Sequence, residues 1–170
     1  MKETIINILN GVFLFIVMLF FLDSFSSFQI KSQLLKSIVY FGVIISPLIL
    51  LVLNIFLIKN TSKRVILSII SFAILVGVFV YNPMRILATS ISWKTQTILY
   101  KKKTSATRRI EFQMGGFSAL GYKERNVEVQ YFTPLFMFVK DVDLNKIDSK
   151  IYEQVNIDVD ELELKKRWAH

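Results

Sequence analysis

The chain has 170 residues, of which 53% are hydrophobic and 20% are charged, and its formal net charge is +8 at pH 7. It contains no cysteine, which excludes disulfide frameworks, thiolate metal sites and cysteine nucleophiles. The single histidine is the terminal residue, His170, a position that favours neither a metal ligand nor a catalytic base.

Hydrophobic residues are concentrated in the first half of the chain. Residues 1–82 carry six basic and two acidic side chains, whereas residues 83–170 carry fifteen and eleven, so each part contributes +4 to the net charge of +8. This change in composition predicts a membrane domain over residues 1–82 and a small soluble β-rich domain over residues 83–170, with the boundary near Asn82-Pro83.

Three uncharged apolar segments predict transmembrane helices, over residues 5–22, 38–58 and 65–81. About 20 apolar residues cross the hydrocarbon core of a bilayer, and segments that are apolar on all sides are typical of membrane spans. The first segment also has features of a signal peptide, with Lys2 before it and Ser24-Phe25-Ser26 after it, but its length favours a retained span.

Several residues within these segments are candidates for helix packing: Asn7, Asn10, Gly11, Pro47, Asn54 and Gly77. An amide in hydrocarbon needs a hydrogen-bond partner, a glycine allows two backbones to approach, and a proline kinks a helix. A transport role is disfavoured because the span centres lack ionisable residues, with Asp23 only at the edge of the first span.

The loops between the spans bear on orientation. Residues 59–64 form a short predicted loop that holds Lys59, Lys63 and Arg64, and short basic loops stay on the cytoplasmic side. With Lys2, this loop predicts a cytoplasmic amino terminus and a periplasmic β domain. Four basic residues argue for the reverse: Lys31, Lys36, Arg85 and Lys94. The first loop, residues 23–36, is interpreted either as a helix lying in the membrane interface or as a simple connector.

From Ile91 onward the hydrophobic period changes to two, which predicts half-buried antiparallel strands. We expect strands over residues 92–101, 109–114, 127–131, 135–139 and 155–159, with the apolar residues of each strand on one face. Residues 160–170 place acidic side chains before basic ones, which favours a terminal helix. The predicted fold class is therefore three transmembrane helices followed by a small antiparallel β domain with a short C-terminal helix.

A basic turn joins the first two of these strands. It is defined by Lys101, Lys102, Lys103, Arg108 and Arg109 around residues 104–107. A solvated hairpin turn is the favoured interpretation, and binding of lipid headgroups or of an acidic protein is the alternative. Nucleic-acid binding is disfavoured on a domain that is predicted to lie outside the cytoplasm.

The sequence holds no motif for catalysis or for binding a metal or cofactor. Residues 141–152 begin like a calcium loop, but Lys146 stands where glycine is required and Tyr152 where a bidentate glutamate is required. There is no zinc-binding helix motif, no phosphate-binding glycine loop and no Ser/His/Asp set. We therefore expect no enzyme activity, no cofactor and no small-molecule substrate.

These features favour a non-catalytic accessory or assembly subunit of a bacterial inner-membrane complex, in contact with membrane lipid and with a larger protein assembly. The excess of Lys over Arg, 15 to 6, is typical of an AT-rich bacterial genome. The apolar run over residues 132–139 supplies the candidate partner contacts Phe132, Phe136 and Phe138. The alternatives are an immunity-type membrane protein that neutralises a toxin and a small membrane transporter component.

Overall fold

The computed structural model of the chain describes residues 2–115 and 123–162. The chain divides into a helical unit, residues 1–25 and 34–90, and a sheet unit, residues 26–33 and 91–170. This division departs from the predicted boundary at Asn82-Pro83 in two places. A short helix that begins at Pro83 stays with the helical unit, and a segment between the first two long helices belongs to the sheet unit.

Three long apolar helices form the helical unit, as predicted. Helix α1 spans Lys2–Phe25, α2 spans Gln33–Leu57 and α3 spans Thr61–Tyr81, and each is long and apolar enough to cross a membrane. Pro47 lies inside α2 and is buried there.

A fourth helix, α4, covers Pro83–Thr89 and begins directly after α3. The junction is made by Asn82, whose φ of 75° turns the chain and whose side chain accepts a hydrogen bond from the Met84 N–H. Pro83 follows in the first helical turn, where a missing N–H costs nothing. The Asn-Pro pair therefore starts a helix rather than a linker between domains.

The connection between α2 and α3 is shorter than the predicted basic loop over residues 59–64. Asn60 caps α3 by accepting a hydrogen bond from the Lys63 N–H at 3.0 Å, so Lys63 and Arg64 lie in the first turn of the helix. Cations at this end oppose the helix dipole. The interaction with the helix dipole therefore does not account for the position of Lys63 and Arg64.

A pair of buried amides joins α1 to α2. Asn10 Nδ2 donates to Asn54 Oδ1 at 2.8 Å, and Asn54 Nδ2 donates back to Asn10 Oδ1 at 3.2 Å. Asn10 Nδ2 also donates to the Ile6 carbonyl at 2.8 Å. Two of the three amides singled out in the sequence thus bond to each other. Asn7 Oδ1 is buried without a hydrogen bond within the described residues.

The glycines of the three long helices differ in their surroundings. A Cβ atom built at Gly11 or Gly77 would meet no described atom within 4 Å, so neither supports a close helix approach in this chain. The close approach is at Gly42 instead, where a Cβ atom would lie 3.1 Å from Ile16 Cγ2. Gly11 and Gly77 therefore lie on open helix faces.

A buried ion pair links the end of α1 to the start of α2. Lys36 Nζ lies 3.2 Å from Asp23 Oδ2, and the Tyr40 hydroxyl donates to the same oxygen at 2.6 Å. The helix dipoles oppose both charges, because Asp23 lies near a C-terminus and Lys36 near an N-terminus. Their attraction has to outweigh that opposition. Both residues lie in the segment predicted as a loop, residues 23–36, whereas the helices extend far enough to include them.

The sheet unit contains a six-stranded antiparallel sheet in the order β1-β5-β4-β3-β2-β6. The strands are β1 Phe28–Ile30, β2 Lys94–Lys102, β3 Arg108–Gly115, β4 Lys123–Tyr131, β5 Phe136–Asp141 and β6 Tyr152–Asp158. A 3-10 turn covers Leu144–Lys146 before β6. The antiparallel sheet and its last five strands agree with the prediction.

Strand β1 is the exception, because it lies in the segment predicted as an interfacial helix or connector. It pairs with β5, Phe28 opposite Phe138 and Ile30 opposite Phe136. Both earlier interpretations of residues 23–36 are therefore wrong. A strand of three residues is too short to show a hydrophobic period, so the sequence gives no signal for it.

The pairing register places polar side chains on the more deeply buried face of the sheet, here called the inner face. Glu111 lies opposite Val127, and Gln113 lies opposite Arg125. Their face also carries the hydrophobic cluster of Val127, Val129, Met137 and Val139. Glu111 and Gln113 are fully buried, whereas Phe112 on the other face is only half-buried. The simple alternation of buried apolar and exposed polar residues is therefore wrong for β3.

The end of the described chain departs from the prediction as well. Ile157 and Val159 are 40% and 41% exposed, because β6 is an edge strand with one neighbour. The terminal helix predicted over residues 160–170 lies largely outside the described residues. The part that is described binds β2, since the N–H groups of Asp160 and Glu161 donate to the carbonyls of Gln96 and Thr95.

We predict that the amide pair of α1 and α2 contributes measurably to the stability of the helical unit. Asn10→Ala and Asn54→Ala should each lower the free energy of unfolding by about 1 kcal/mol, because each removes an interhelical hydrogen bond and orphans its partner. The double variant should cost less than the sum of the two single variants. Unfolding of the full-length protein in mixed micelles measures the cycle, and strictly additive costs would contradict the pairing.

Candidate functional site

The inner face of the sheet contains a buried polar cluster centred on Glu111. Thr95 Oγ1 and Gln113 Nε2 each donate to Glu111 Oε2 at 2.7 Å. Arg109 Nε donates to Glu111 Oε1 at 2.5 Å, and the Tyr131 hydroxyl lies 3.1 Å from the same oxygen. The guanidinium of Arg109 also stacks on the Tyr131 ring, 4.6 Å from its centroid. Donors from three strands therefore converge on one carboxylate.

The cluster continues across the sheet through Arg125. This side chain donates to Gln113 Oε1 from Nη2 at 2.7 Å and to Gln29 Oε1 at 2.8 Å. Its guanidinium lies over the Trp93 ring, 4.1 Å from the centroid. Trp93 in turn covers Gly115, where a Cβ atom would come within 2.9 Å of the indole. Gly115 is therefore the residue that lets the ring lie flat on β3.

A salt bridge between two loops closes the inner face. Lys31 follows edge strand β1, and its Nζ donates to Glu161 Oε2 at 2.6 Å and to Thr95 Oγ1 at 3.2 Å. Glu161 follows edge strand β6 and also accepts a hydrogen bond from the Thr95 N–H at 2.8 Å. The pairing of β2 has two irregularities, after Thr95 and after Ile98. Irregularities of this type bend a strand. The two edges of the sheet are thus joined over its inner face.

The geometry of the cluster favours a structural role over chemistry. Both oxygens of Glu111 are occupied by donors from Thr95, Arg109, Gln113 and Tyr131, so no lone pair is directed at an open space. A general base or a metal ligand needs such access. Within residues 2–115 and 123–162, no group of three or more acidic, His or Cys side chains could hold a metal ion.

Burial and charge alter the acid–base behaviour of two members of the cluster. Burial, reinforced by the charge of Glu111, raises the pKa of Tyr131 to about 12. Burial alone would lower the pKa of Arg109, but the Tyr131 hydroxyl and the Glu111 carboxylate outweigh it and raise that pKa above its ordinary value. Both groups therefore keep their protons at neutral pH.

The opposite face carries an exposed apolar region, here called the aromatic surface, which consists of Phe28, Phe132, Leu135, Phe136 and Phe138. Phe28 stacks on Phe136 with centroids 5.1 Å apart and meets Phe138 edge-on at 5.7 Å. Phe132 is 73% exposed and Phe138 is 44% exposed, whereas Phe136 is half-buried. Of the three predicted partner contacts, Phe132 and Phe138 are therefore solvent-exposed, and Phe136 packs against Phe28.

A shallow groove of about 350 Å³ adjoins the aromatic surface and shares Phe138 with it. Its polar lining comprises Ser27, Arg108, Glu128, Gln130 and Lys140. Arg108 Nε donates to Gln130 Oε1 at 2.8 Å, and the Tyr152 hydroxyl donates to Glu128 Oε1 at 2.8 Å. The groove therefore places two cations and one hydrogen-bonded carboxylate beside an apolar surface.

The basic turn forms the hairpin between β2 and β3, but its charges do not act together. Arg109 points to the inner face and binds Glu111, while Arg108 lines the groove on the other face. Lys103 Nζ donates to the Ser149 carbonyl at 2.8 Å. The five positive charges that are adjacent in sequence are thus distributed over both faces of the hairpin.

Glu111, Lys31 and Glu161, which organise the inner face, are not among the predicted site residues. Lys31 and Glu161 are 130 residues apart in the chain, so no local pattern connects them. A signal for Glu111 does exist. Arg109, Glu111 and Gln113 alternate along one strand and carry groups that can bond to one another. The alternating pattern alone predicts that such residues face solvent, whereas hydrogen bonds between their side chains permit burial.

Comparison of the chain with protein-family models, with curated proteins and with solved structures finds no match.

We predict that Glu111 is required for a stable sheet. Glu111→Ala should lower the free energy of unfolding by about 3 kcal/mol, because it leaves the half-buried Arg109 and the buried donors of Thr95 and Gln113 without their acceptor. The exposed Glu153 on β6 provides a matched control, and Glu153→Ala should change stability by less than about 0.5 kcal/mol. Near-ultraviolet circular dichroism of the full-length protein reports unfolding around Trp93. Equal costs for the two variants would contradict the role of the cluster.

We also predict alkaline destabilisation through Tyr131. Its pKa in the folded chain is about 12, above the ordinary value of 10.0, so the folded state holds the proton more tightly than the unfolded state does. The resulting stabilisation is fully present below pH 10 and is lost as the pH rises towards 12. Across this pH range, the free energy of unfolding should fall more steeply for the wild type than for Tyr131→Phe. Parallel profiles would contradict the prediction.

Proposed function

We propose that the chain is a non-catalytic accessory or assembly subunit of a bacterial inner-membrane protein complex. It would contact its surroundings through two regions, the outer faces of the three helices and the aromatic surface of the sheet. The observation that carries this proposal is the combination of long, outwardly apolar helices with a sheet whose central polar groups are occupied by one another. Such a chain is suited to holding and positioning other components.

The pairing of β1 with β5 supports two membrane crossings in the chain between these strands. Because β1 pairs with β5, residues 28–30 and 136–141 lie on the same side of any bilayer. Helices α2 and α3 stand between them in the chain. Two crossings return a chain to its starting side, whereas one crossing does not. If either helix spans the membrane, the other must span it as well, and both have the required length and composition.

The charges at the α2–α3 turn support an orientation with a cytoplasmic amino terminus. Lys59, Lys63 and Arg64 lie at the end of the helices away from the residues that join them to the sheet. Lys63 and Arg64 oppose the dipole of α3, so helix stability does not explain their position. Retention of positive charge on the cytoplasmic side does. The sheet unit would then be periplasmic.

Helix α3 is the region that supports contact with other subunits most strongly. Only Ser71 and Val78 of this helix are buried by the described residues. Seven of its apolar side chains are largely exposed: Val65, Ile66, Ile69, Phe72, Val76, Phe79 and Val80. Ser71 Oγ is buried without a hydrogen bond in this part of the chain. Ala73 and Gly77 are both exposed and lie one turn apart, so a neighbouring helix could approach closely there.

The orientation is tested with single cysteines, because the chain has none of its own. Ala106→Cys lies in the exposed hairpin turn of the sheet, and Thr61→Cys lies at the exposed start of α3. We expect a membrane-impermeant thiol reagent to label position 106 in intact spheroplasts and position 61 only after permeabilisation. The reverse pattern would overturn the orientation, and labelling of both positions in intact cells would overturn the crossing of α2 and α3.

Membership of a complex is tested by purification in mild detergent, which should recover a stoichiometric protein partner with the full-length chain. Ala73→Phe should reduce that recovery about tenfold, because a bulky ring separates two closely packed helices. Val12→Phe provides the control, since Val12 lies on the exposed face of α1 at 50% exposure. Recovery of no partner with the wild type would exclude the proposed function. Equal losses for both variants would move the contact away from α3.

A further inference from the structure

We infer that the aromatic surface and the groove beside it together form a docking site for an anionic bilayer surface. Phosphate groups of lipids would lie at Arg108 and Lys140, and Phe132, Leu135 and Phe138 would enter the interfacial layer. The inference deepens the proposed function by naming the partner of the aromatic surface, and it rests on that function only in requiring that α1 and α2 cross the membrane.

The apolar half of the site is built from side chains that the chain leaves uncovered. Phe132 and Leu135 lie in the turn between β4 and β5 and are 73% and 46% exposed. Phe138 follows on β5 at 44% exposure. Phe28 stacks on Phe136 and meets the Phe138 ring edge-on, and these contacts hold the Phe138 side chain in position. Exposed apolar side chains at the tip of an ordered turn can insert into a membrane interface without any change in the fold.

The charged half of the site lies in the groove. The guanidinium of Arg108 has five N–H donors. Only its Nε–H is used by Gln130, which holds the group in place. Lys140 is exposed on β5, which is separated from the strand of Arg108 by β4. Glu128 shares the groove but is engaged by the Tyr152 hydroxyl at 2.8 Å. The groove therefore keeps a positive excess next to apolar side chains, as binding to anionic headgroups requires.

Chain connectivity identifies the bilayer as the occupant. Only Ser26 and Ser27 separate α1 from β1, and only Lys31 and Ser32 separate β1 from α2. Links of this length extend over about 10 Å, so β1 cannot leave the neighbourhood of a membrane that these helices cross.

Both halves of the site are hydrogen-bonded to these links. The Lys31 N–H donates to the Leu135 carbonyl at 2.8 Å, which holds the turn that carries Phe132 and Leu135. The Val139 N–H donates to the Ser27 carbonyl at 2.8 Å, at the wall of the groove. The apolar turn and the cationic groove are thus fixed to the two stretches of chain that enter the helices.

The size of the surface also favours lipid over protein. A stable interface between proteins buries roughly 800 Å² on each partner and involves about 20 residues a side. The aromatic surface has five residues, of which three are strongly exposed. A few apolar side chains with neighbouring cations are sufficient for interfacial membrane binding, particularly when helices already hold the protein at the membrane.

The test uses the full-length protein in vesicles that contain phosphatidylglycerol and spin-labelled lipid. A single cysteine at Phe132 or Leu135 carries a polarity-sensitive fluorophore. We expect blue-shifted emission at both positions and quenching by labels near the headgroups. Ala106→Cys, in the exposed hairpin turn, is the matched control and should show the emission of a water-exposed probe. Water-like, unquenched emission at positions 132 and 135 would overturn the inference.

A probe at Phe72→Cys separates this inference from the proposed function. Phe72 lies on the outer face of α3 at 57% exposure, and its probe should be quenched by labels deep in the acyl chains. Quenching at position 72 without quenching at 132 would reject the lipid site and leave the membrane crossing intact. Absence of quenching at 72 would reject the crossing itself. Shielding of position 132 only after addition of the co-purified partner would assign the surface to protein.

The charged half is tested in the same vesicles. Lys140→Gln should lower the equilibrium constant for docking of the surface, measured by quenching of the probe at position 132, about fivefold. Arg108→Gln should have a similar effect, because each variant removes one cation next to anionic lipid. Lys101→Gln removes an exposed lysine outside the groove and should have no comparable effect. Replacement of phosphatidylglycerol by phosphatidylcholine should abolish the difference between Lys140→Gln and the wild type. Equal effects of the variants at 140 and 101 would overturn the role of the groove.

Discussion

The hydrogen bonds between β1 and β5 are the constraint on which the arrangement of the chain depends. They make a segment between the first two helices into the edge of a sheet whose other strands all follow the fourth helix. The sheet is therefore not an appended domain, because it cannot be complete without residues that precede α2. In the proposed topology, the same bonds require an even number of membrane crossings between β1 and β5.

The inner face shows how a sheet can be stabilised around charge. Val127 and Val129 supply a small apolar cluster, and the neighbouring positions are filled by a carboxylate with its donors. Burial of such a group is costly unless each lone pair is satisfied, and Glu111 meets that condition. Apolar residues could provide similar stability, but they would not specify the register as strictly, since a shift of one residue would separate every donor from its acceptor.

The sequence predicts the elements that repeat a pattern over many residues. Eighteen or more apolar residues in a row predict helices α1 and α2 without regard to their partners, and alternation over five or more residues predicts β3 and β4. Strand β1 is too short to carry a pattern, and the burial of Glu111 depends on Thr95 and Tyr131, which lie 16 and 20 residues away in the chain. The run over residues 132–139 indicates a contact surface from the sequence alone, because it is unusually aromatic for the edge of a small domain. Its connection to the groove depends on pairing between strands, which composition does not contain.

The pairing of Ile30 with Phe136 also has a consequence for biosynthesis. The two residues are 106 positions apart (136 − 30), so a ribosome that adds 5–20 residues per second delivers the partner of β1 roughly 5–20 s after β1 itself. During that delay the first strand waits unpaired while two long helices and most of the sheet are synthesised. A long unpaired strand would be an aggregation hazard to other nascent chains. With only three residues, β1 offers too few backbone groups for a stable incorrect pairing, and its shortness protects the chain while it is being made.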